Sequence, residues 1–487
     1  MNVAVAWGDR WYDPAVGLLW NPAGSFAPAV RDATVHLLPQ SAWYAFGLLE
    51  RGSPGDISRA VEVLNAVLAY QYDRPGAAWN GTFARVAEAA EPTEGAREWL
   101  DYDPNWRQFI ASTFLLTLRH HSDVIDPVLI SRLDRSIDLA LRSEPADRIT
   151  SSYSNIALLH AFALVEFGAR GGDGDLQDAG ERLARSVVDS FDRCGAFDEY
   201  NSPTYYGMDL VALALWRTCA ASELLRREGA RLEAALWMDI ATFFHAGMRN
   251  LIGPFDRAYG MDMTRYLAMV GLWWIPAFGG GDAPVPELTA DVIDHGHDLL
   301  VGPLVARLAG PIPRDAVEFL HHFDGVRAVD RPITPVSSRT ATAWLEPDFA
   351  FGGEEGDPGR PATGQFAPAT VHWVLPDATE ASPRVGSIRF FCDDATSARA
   401  GDAQLRIVTS PGDRGAADAW FLLSTGGSKS LNPVMVGPGR WDLPGLTLQV
   451  QANGTLVTVD PFGEDLLVGF RAGPSGHRFT LRRVGDA

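Results

Sequence analysis

The apolar residues of this 487-residue chain change their spacing once, and that change constrains the fold more than any single motif. From about residue 40 to about residue 308 they recur with a helical period, and the segments come in pairs separated by turn formers. Residues 41–50 and 57–72 read as one hairpin across Gly52-Ser53-Pro54-Gly55-Asp56, and 105–121 and 127–142 as the next. The pairs 152–168 with 176–191, 206–229 with 232–251, and 262–272 with 288–308 complete about ten helices. Paired helices without a short repeat make either a solenoid or a closed toroid. Long loops mixing aromatic, polar and charged residues, from Trp79-Asn80-Gly81 onward and at 195–206 and 253–260, favour a toroid with functional loops.

After about residue 320 the apolar residues alternate, rich in β-branched and aromatic types and bounded by Gly, Pro and Asp. Nine strands are expected, at 340–345, 370–375, 385–391, 404–409, 419–424, 446–451, 455–459, 466–471 and 478–484, with 352–364 as an exposed loop. No helical crossover separates them, which predicts an antiparallel sandwich. The expected class is therefore a multidomain α+β chain: an N-terminal (α/α) toroid of helical hairpins over residues 1–315, carrying the catalysis, and a C-terminal antiparallel β-sandwich over 316–487.

A formal net charge of -20 opposes nucleic acid and anionic membrane surfaces as partners. Lys429 is the one lysine; every other strong cation is arginine, whose fork suits carboxylates, although a GC-rich genome gives the same bias. Cys194, Cys219 and Cys392 are odd in number and irregularly spaced, so they predict neither a disulfide framework nor a zinc site. The first ten residues do not read as a secretory signal and no run approaches a membrane span, so a cytoplasmic location is expected, or a secreted one if a leader precedes the sequence. The pairs His120-His121, His295-x-His297 and His321-His322 lack carboxylate or cysteine ligands at established spacing, and no phosphate or dinucleotide fingerprint stands in context; neither a catalytic metal nor a cofactor is expected. Oligomeric state has no signal.

The densest chemistry lies in Gly195-Ala196-Phe197-Asp198-Glu199-Tyr200-Asn201-Ser202-Pro203-Thr204-Tyr205-Tyr206, between two expected helices. Ser202 and Pro203 suit the start of a helix. The tyrosines suit packing, and equally proton transfer if neighbouring cations lower their pKa.

This loop resembles the Gly-x-x-x-Glu-x-Ser-Pro-x-Tyr loop of the heparinase II/III-like and alginate lyases, with one extra residue between Glu199 and Ser202. The resemblance implies a helical toroid followed by a β-sandwich, and places the proton-transferring tyrosine at Tyr205, with Tyr206 as alternative. Ser152-Tyr153-Ser154-Asn155-Ile156 resembles the place where such lyases put a carboxylate-neutralising asparagine, which implies Asn155; Ile156 stands where several have histidine, and a helix cap explains Asn155 as well. The resemblance also implies a residue brought from the sandwich, here His372.

A third fragment, Gly253-Pro254-Phe255-Asp256-Arg257-Ala258-Tyr259-Gly260-Met261-Asp262, offers Arg257 to a uronate carboxylate, Tyr259 for proton transfer and Asp262 to orient either. An Arg–Asp pair stabilising the loop is the alternative. Substrate-binding candidates are Arg257, Asn201, Tyr206, Tyr153, Asp262 and Trp79. The reaction expected is β-elimination at a uronic acid in an oligosaccharide or polysaccharide: a tyrosine or histidine removes the C5 proton, Asn155 and Arg257 stabilise the carboxylate, and a tyrosine protonates the departing oxygen. Alternatives are a glycoside hydrolase using Glu199 with Asp262, Asp103 or Asp198, and a non-catalytic glycan-binding protein.

Overall fold

The computed structural model describes residues 2–21, 35–334, 338–356, 359–379, 382–413 and 415–484. Two compact units divide the chain. The first comprises Met1–Ser190, Gly207–Glu233 and Tyr266–Pro311; the second comprises Phe191–Tyr206, Ala234–Arg265 and Ile312–Ala487. Residues 191–206 and 234–265, which lie far before 315, thus group with the C-terminal strands.

The first unit holds α1 (Asn2–Trp11), a small sheet of β1 (Tyr12–Asp13), β2 (Leu18–Trp20) and β3 (His36–Leu37), and a series of hairpins. These are α2 (Leu38–Arg51) with α3 (Asp56–Leu68), α4 (Trp106–His121) with α5 (Pro127–Arg142), α6 (Ser154–Gly171) with α7 (Gly174–Cys194), and α8 (Tyr205–Cys219) with the first half of α9 (Glu223–Phe243), whose residues from Ala234 onward group with the second unit. The composition of each helix decides its layer. In α2 every residue from Leu38 to Leu49 is buried, and α6 is buried from Ser154 through Val165, as expected of helices apolar all round. By contrast α3 buries the stripe Ala60, Val63, Leu64 and Val67, and α5 the stripe Leu129, Leu133, Ile137 and Ala140, with polar residues outward.

Inner helices follow one another around a ring: α2 packs on α4, α4 on α6, and Trp216 of α8 donates from Nε1 to the carbonyl of Leu158 in α6 at 2.8 Å. Closure comes from a helix-poor stretch. A 3-10 turn at Met269–Trp273, followed by α10 (Trp274–Phe278), meets α8, where Trp273 Nε1 donates to Gly207 O at 3.1 Å. A second 3-10 turn, Gly296–Val301, runs into α11 (Gly302–Leu308), and both pack on α2. The unit is an (α/α) toroid.

Among the described residues, the second unit is built on fourteen antiparallel strands, β6 to β19. Short β4 (Phe244–His245) and β5 (Asn250–Leu251) pair with each other, and α12 (Arg314–His321) packs on β4. One run of neighbours is β6 (Arg327–Thr334), β7 (Arg339–Glu346), β8 (Phe349–Glu355), β10 (Ala369–Val374) and the first half of β11 (Val385–Gly401), with β9 (Arg360–Ala362) on the edge of β11. The second half of β11 pairs instead with β12 (Gln404–Ser410), and the order continues through β19 (Arg478–Arg483), β16 (Leu446–Ala452), β15 (Arg440–Leu443) and β14 (Val436–Gly437). Between them β13 (Ala419–Ser424) pairs β11 and β18 (Asp465–Arg471), and β17 (Thr455–Phe462) edges β18. The two layers face each other as a sandwich. Phe421 stands at its centre, with the rings of Phe390, Phe479 and Trp441 at 5.0, 5.0 and 5.3 Å. Between the layers, the hydroxyl of Thr342 accepts from Ala400 N at 2.8 Å and donates to Gly353 O at 2.9 Å.

Several sequence expectations move. The hairpin expected at 206–229 and 232–251 breaks earlier, at residues 220–222, because apolar spacing runs on through the turn. Residues 262–272 and 288–308 are mostly turns and 3-10 structure rather than long helices; prolines and glycines interrupt them. Residues 352–364 are not an exposed loop. Gly352 and Gly353 are buried within β8, where an added Cβ would meet Gly253 O and Ala398 O, and residues 357–358 lie outside the description. Among the described residues no helix is long and apolar enough to cross a membrane.

Ring closure at Gly207 is tight: a Cβ there would stand 2.5 Å from the backbone of Met269 and Val270. Gly207→Ala should therefore cost about 1–3 kcal/mol and lower Tm by several degrees in thermal unfolding; an unchanged Tm would show that the closing turn yields freely.

Candidate functional site

The loop after α7 is shaped by Gly195, at φ 69°, whose N–H returns to Phe191 O at 2.6 Å and ends the helix. Ser202 then accepts from Tyr205 N at 3.2 Å, which starts α8, and its hydroxyl donates to Arg257 O at 2.6 Å. Asn201, at φ 48°, donates from Nδ2 to Ile252 O and Pro254 O, both at 2.8 Å. Asp256 N donates to Tyr200 O at 3.0 Å. The loops at 199–206 and 252–259 are thus joined through their backbones. The second loop is fixed on its other side to residues 365–367, since Phe255 and Ala367 exchange backbone hydrogen bonds and Ala258 N reaches Gln365 O at 2.9 Å.

This scaffold places Arg257 among four functional groups. Nη2 donates to Tyr205 OH at 2.8 Å, Nη1 to Glu199 Oε1 at 2.9 Å and Nε to Gln365 Oε1 at 2.8 Å, while Cζ lies 3.8 Å from the Tyr205 ring centroid. The hydroxyl of Tyr205 is also 2.8 Å from that of Tyr259. Four residues expected from the sequence, Glu199, Tyr205, Arg257 and Tyr259, are therefore one cluster. Burial opposes the charge of Arg257, but Tyr205 and Glu199 hold it protonated, with its pKa above the ordinary range. Burial pushes the Tyr205 phenol well above its usual value; Tyr259 adds to this and Arg257 opposes it. The condition raised for the tyrosines of this loop, a pKa lowered by neighbouring cations, is not met at Tyr205: desolvation outweighs the guanidinium, and the phenol rests as a proton donor.

Other expected residues have other surroundings. Tyr206 is fully buried and donates to Asp239 Oδ2 at 2.9 Å, and Tyr200 donates to Asp239 Oδ1 at 3.0 Å. Arg331 completes an ion pair with the same carboxylate. Asn201 is buried, with its amide donors spent on the loop backbone. Asp262 folds back on Thr264, accepting from its N–H at 2.9 Å and its hydroxyl at 2.7 Å, beside a cavity of about 340 Å³ that Arg265 and Arg384 also line. His372, on β10, lies wholly inside with Phe255 edge-on at 6.1 Å, and burial holds its pKa down to about 4, so it is neutral. An interior strand position rather than an open face explains why a substrate role does not follow for it.

In the first unit, Asn155 is buried in the opening turn of α6, one residue past the helix start; the N-cap is Tyr153, so Asn155 is not the cap. Tyr153 OH accepts from Asn105 Nδ2 at 2.5 Å, and Asn105 Oδ1 accepts from Arg148 at 2.9 Å. Arg148 pairs with Glu144, which also accepts from Gln108 at 2.8 Å. Trp79 packs against Tyr102, with centroids 6.1 Å apart, on a cavity of about 780 Å³.

Sequence reasoning missed Gln365, Asp239 and Arg331, which reach the two loops from far along the chain with no local pattern to mark them. It also passed over Asp298, which follows His297 directly: His295, His297 and Asp298 hold ligand atoms that all lie within 4.8 Å of one another.

A family model described as Domain of unknown function (DUF8769) matches residues 1–310. No curated protein matches the sequence. Among solved structures the chain is similar to a Streptomyces coelicolor A3 chondroitin AC lyase in complex with chondroitin sulphate, at 11% identity and TM-score 0.48, covering 100% of this chain and 79% of that one. A heparinase III is similar at 9% identity and TM-score 0.43, covering 92% and 77%. The heparan sulfate lyase HepC from Pedobacter heparinus follows at 11% and 0.34, covering 92% and 76%.

The depressed pKa of His372 sets the sign of a pH effect. Between pH 6.5 and 4 the unfolded chain binds a proton there that the folded chain refuses, so stability falls as pH falls through that window. The slope from this residue is about 1.4 kcal/mol per pH unit. His160 and His245, also held to about 4, keep part of the slope, so in urea unfolding His372→Asn should remove one proton's worth; identical slopes would show that His372 titrates normally.

Proposed function

We propose that this chain, which belongs to the DUF8769 family, is a lyase that cleaves uronic-acid-containing oligosaccharides or polysaccharides by β-elimination, with Tyr205 and Tyr259 as its proton-transfer pair. The observation that carries the reading is the hydrogen bond between the two phenols, one of which also accepts from Arg257. The resemblance of the Glu199 to Tyr205 loop to that of the heparinase II/III-like and alginate lyases supports the same assignment.

Elimination moves one proton from C5 of the uronate to the oxygen leaving C4, and forms the C4–C5 double bond as the C4–O bond breaks. It needs no external acid or base if one group takes the proton and a neighbour supplies another. Tyr259, as phenolate during turnover, takes the C5 proton, and Tyr205, kept neutral by burial, donates to the departing oxygen. Their 2.8 Å contact then lets a proton pass from Tyr259 to Tyr205 and restores the pair. Arg257 supplies positive charge beside the forming negative charge, and Glu199 and Gln365 hold its fork in place.

Wild type and Tyr205→Phe incubated with a panel of uronic-acid oligosaccharides, followed by enoate absorbance and reducing ends together, test this. The expected result is an absorbance rise that drops about 100-fold or more in Tyr205→Phe while Tm is kept. Because the donor must stay protonated and its pKa is raised, the wild-type rate should hold beyond pH 10 before an alkaline limb appears. An absorbance rise that survives in Tyr205→Phe removes Tyr205 from the chemistry. New reducing ends without absorbance, lost in Glu199→Gln, would make the enzyme a hydrolase, and binding without turnover would make it a glycan-binding protein.

A further inference from the structure

We propose that His295, His297 and Asp298 form a binding site for a first-row divalent cation, Zn2+ by donor type, which staples the helix-poor sector that closes the toroid. The site is independent of the proton-transfer pair and is structural in role.

All three residues are buried, at 9%, 7% and 4% exposure. Two imidazoles and one carboxylate are the nitrogen and oxygen donors that Zn2+ accepts, with bonds of about 2.0–2.2 Å and a tetrahedral arrangement. Ligand atoms around such an ion stand roughly 3.3 Å apart. His297 Nε2 and Asp298 Oδ1 already have that separation, at 3.4 Å, and all three ligand atoms fall within 4.8 Å of one another. His295 is held at φ 55°, a left-handed backbone that brings its ring back toward His297, with centroids 5.5 Å apart.

Charge favours the same occupant. Asp298 is buried with His297 as its ion-pair partner and, among the described residues, without an arginine or lysine. A buried carboxylate beside two imidazoles suits a dication, whose charge offsets that of the carboxylate and which accepts neutral imidazole as further ligands. Position gives the ion its work. Asp294 O accepts from Leu267 N at 2.9 Å, the Tyr266 ring stands edge-on to His295 at 6.1 Å, and the 3-10 turn carrying the ligands packs on α2. These are the stretches that close the ring without a long helix, so an ion there replaces the packing that a regular hairpin supplies elsewhere.

The full chain, stripped with a chelator and dialysed, is titrated with Zn2+ and separately with Co2+, using metal analysis, visible absorption and Tm as readouts. The expected result is one equivalent of tightly held metal, a Tm rise of about 3 °C or more in excess Zn2+, and Co2+ d–d bands of a tetrahedral nitrogen and oxygen site. His297→Ala and Asp298→Asn should each lose the equivalent and the Tm response; if neither folds, the Co2+ spectrum of wild type decides. No metal retained, equal binding in the folded variants, or a thiolate charge-transfer band placing the ion on Cys194, Cys219 or Cys392 would each overturn the proposal.

Discussion

A guanidinium partly withdrawn from water must find acceptors for its donors, and in this chain that requirement organises the candidate site. Arg257 spends its N–H groups on Glu199, Gln365 and Tyr205, so one half-buried cation fixes a carboxylate, an amide and a phenol in mutual register. Glu199 and Tyr205 stand at the two ends of the loop before α8, and Gln365 comes from the segment before β10. Arg257 itself is placed by its backbone, whose carbonyl takes the Ser202 hydroxyl and whose neighbours pair with Tyr200 and residues 365–367. Removing Arg257 would leave a buried carboxylate without its counter-charge, so its loss is both an electrostatic and a structural event.

Beneath the cluster, two further charged groups hold the loops. The Asp239 carboxylate accepts from the phenols of Tyr200 and Tyr206 on either side of Ser202 and pairs with Arg331. Asp256, one residue before Arg257, pairs with Arg339 and Arg360, and Glu354 pairs with the same two arginines. The three tyrosines of the loop are thereby divided. Tyr200 and Tyr206 serve the interior, and Tyr205 alone reaches Arg257 and Tyr259. A chain with so many ion pairs inside one scaffold explains its reliance on arginine: a planar fork can satisfy two carboxylates at once, which an ammonium does less well.

How much of this was legible depended on whether the information was local. The inner and outer helices were visible as spacing, because burial all round or along one stripe is written into each segment: the stripe Leu129, Leu133, Ile137 needs no distant context. Strands with clean alternation, such as β12 and β13, were visible for the same reason. The stretch 262–308 was not, because its apolar residues fill space between other elements without a period of their own. β8 was hidden by its glycines, which signal a loop in isolation but here let the backbone approach Gly253 and Ala398 closely. Within the site, Glu199, Tyr205, Arg257 and Tyr259 were found because two short segments are dense in functional groups. Which tyrosine faces which partner was not, since Asp239, Arg331 and Gln365 lie tens to over a hundred residues away. The direction of the Tyr205 pKa was left open, because a sequence lists neighbouring charges but not the desolvation that outweighs them.

The long strand β11 has a kinetic meaning. Its first half hydrogen-bonds to β10 and β13 and its second half to β12, so neither layer can be completed until this one segment is extended throughout. Several strands that finish the layers join it or its partners across long stretches of sequence, as where Gln404 meets Arg482. Neighbouring hairpins such as β6 with β7 can form early, but closing the sandwich waits on distant segments finding each other, the arrangement that makes β-rich units slow to fold. Until then the apolar faces of β13 and β18 have no cover, and newly made chains are most open to association with one another during that interval.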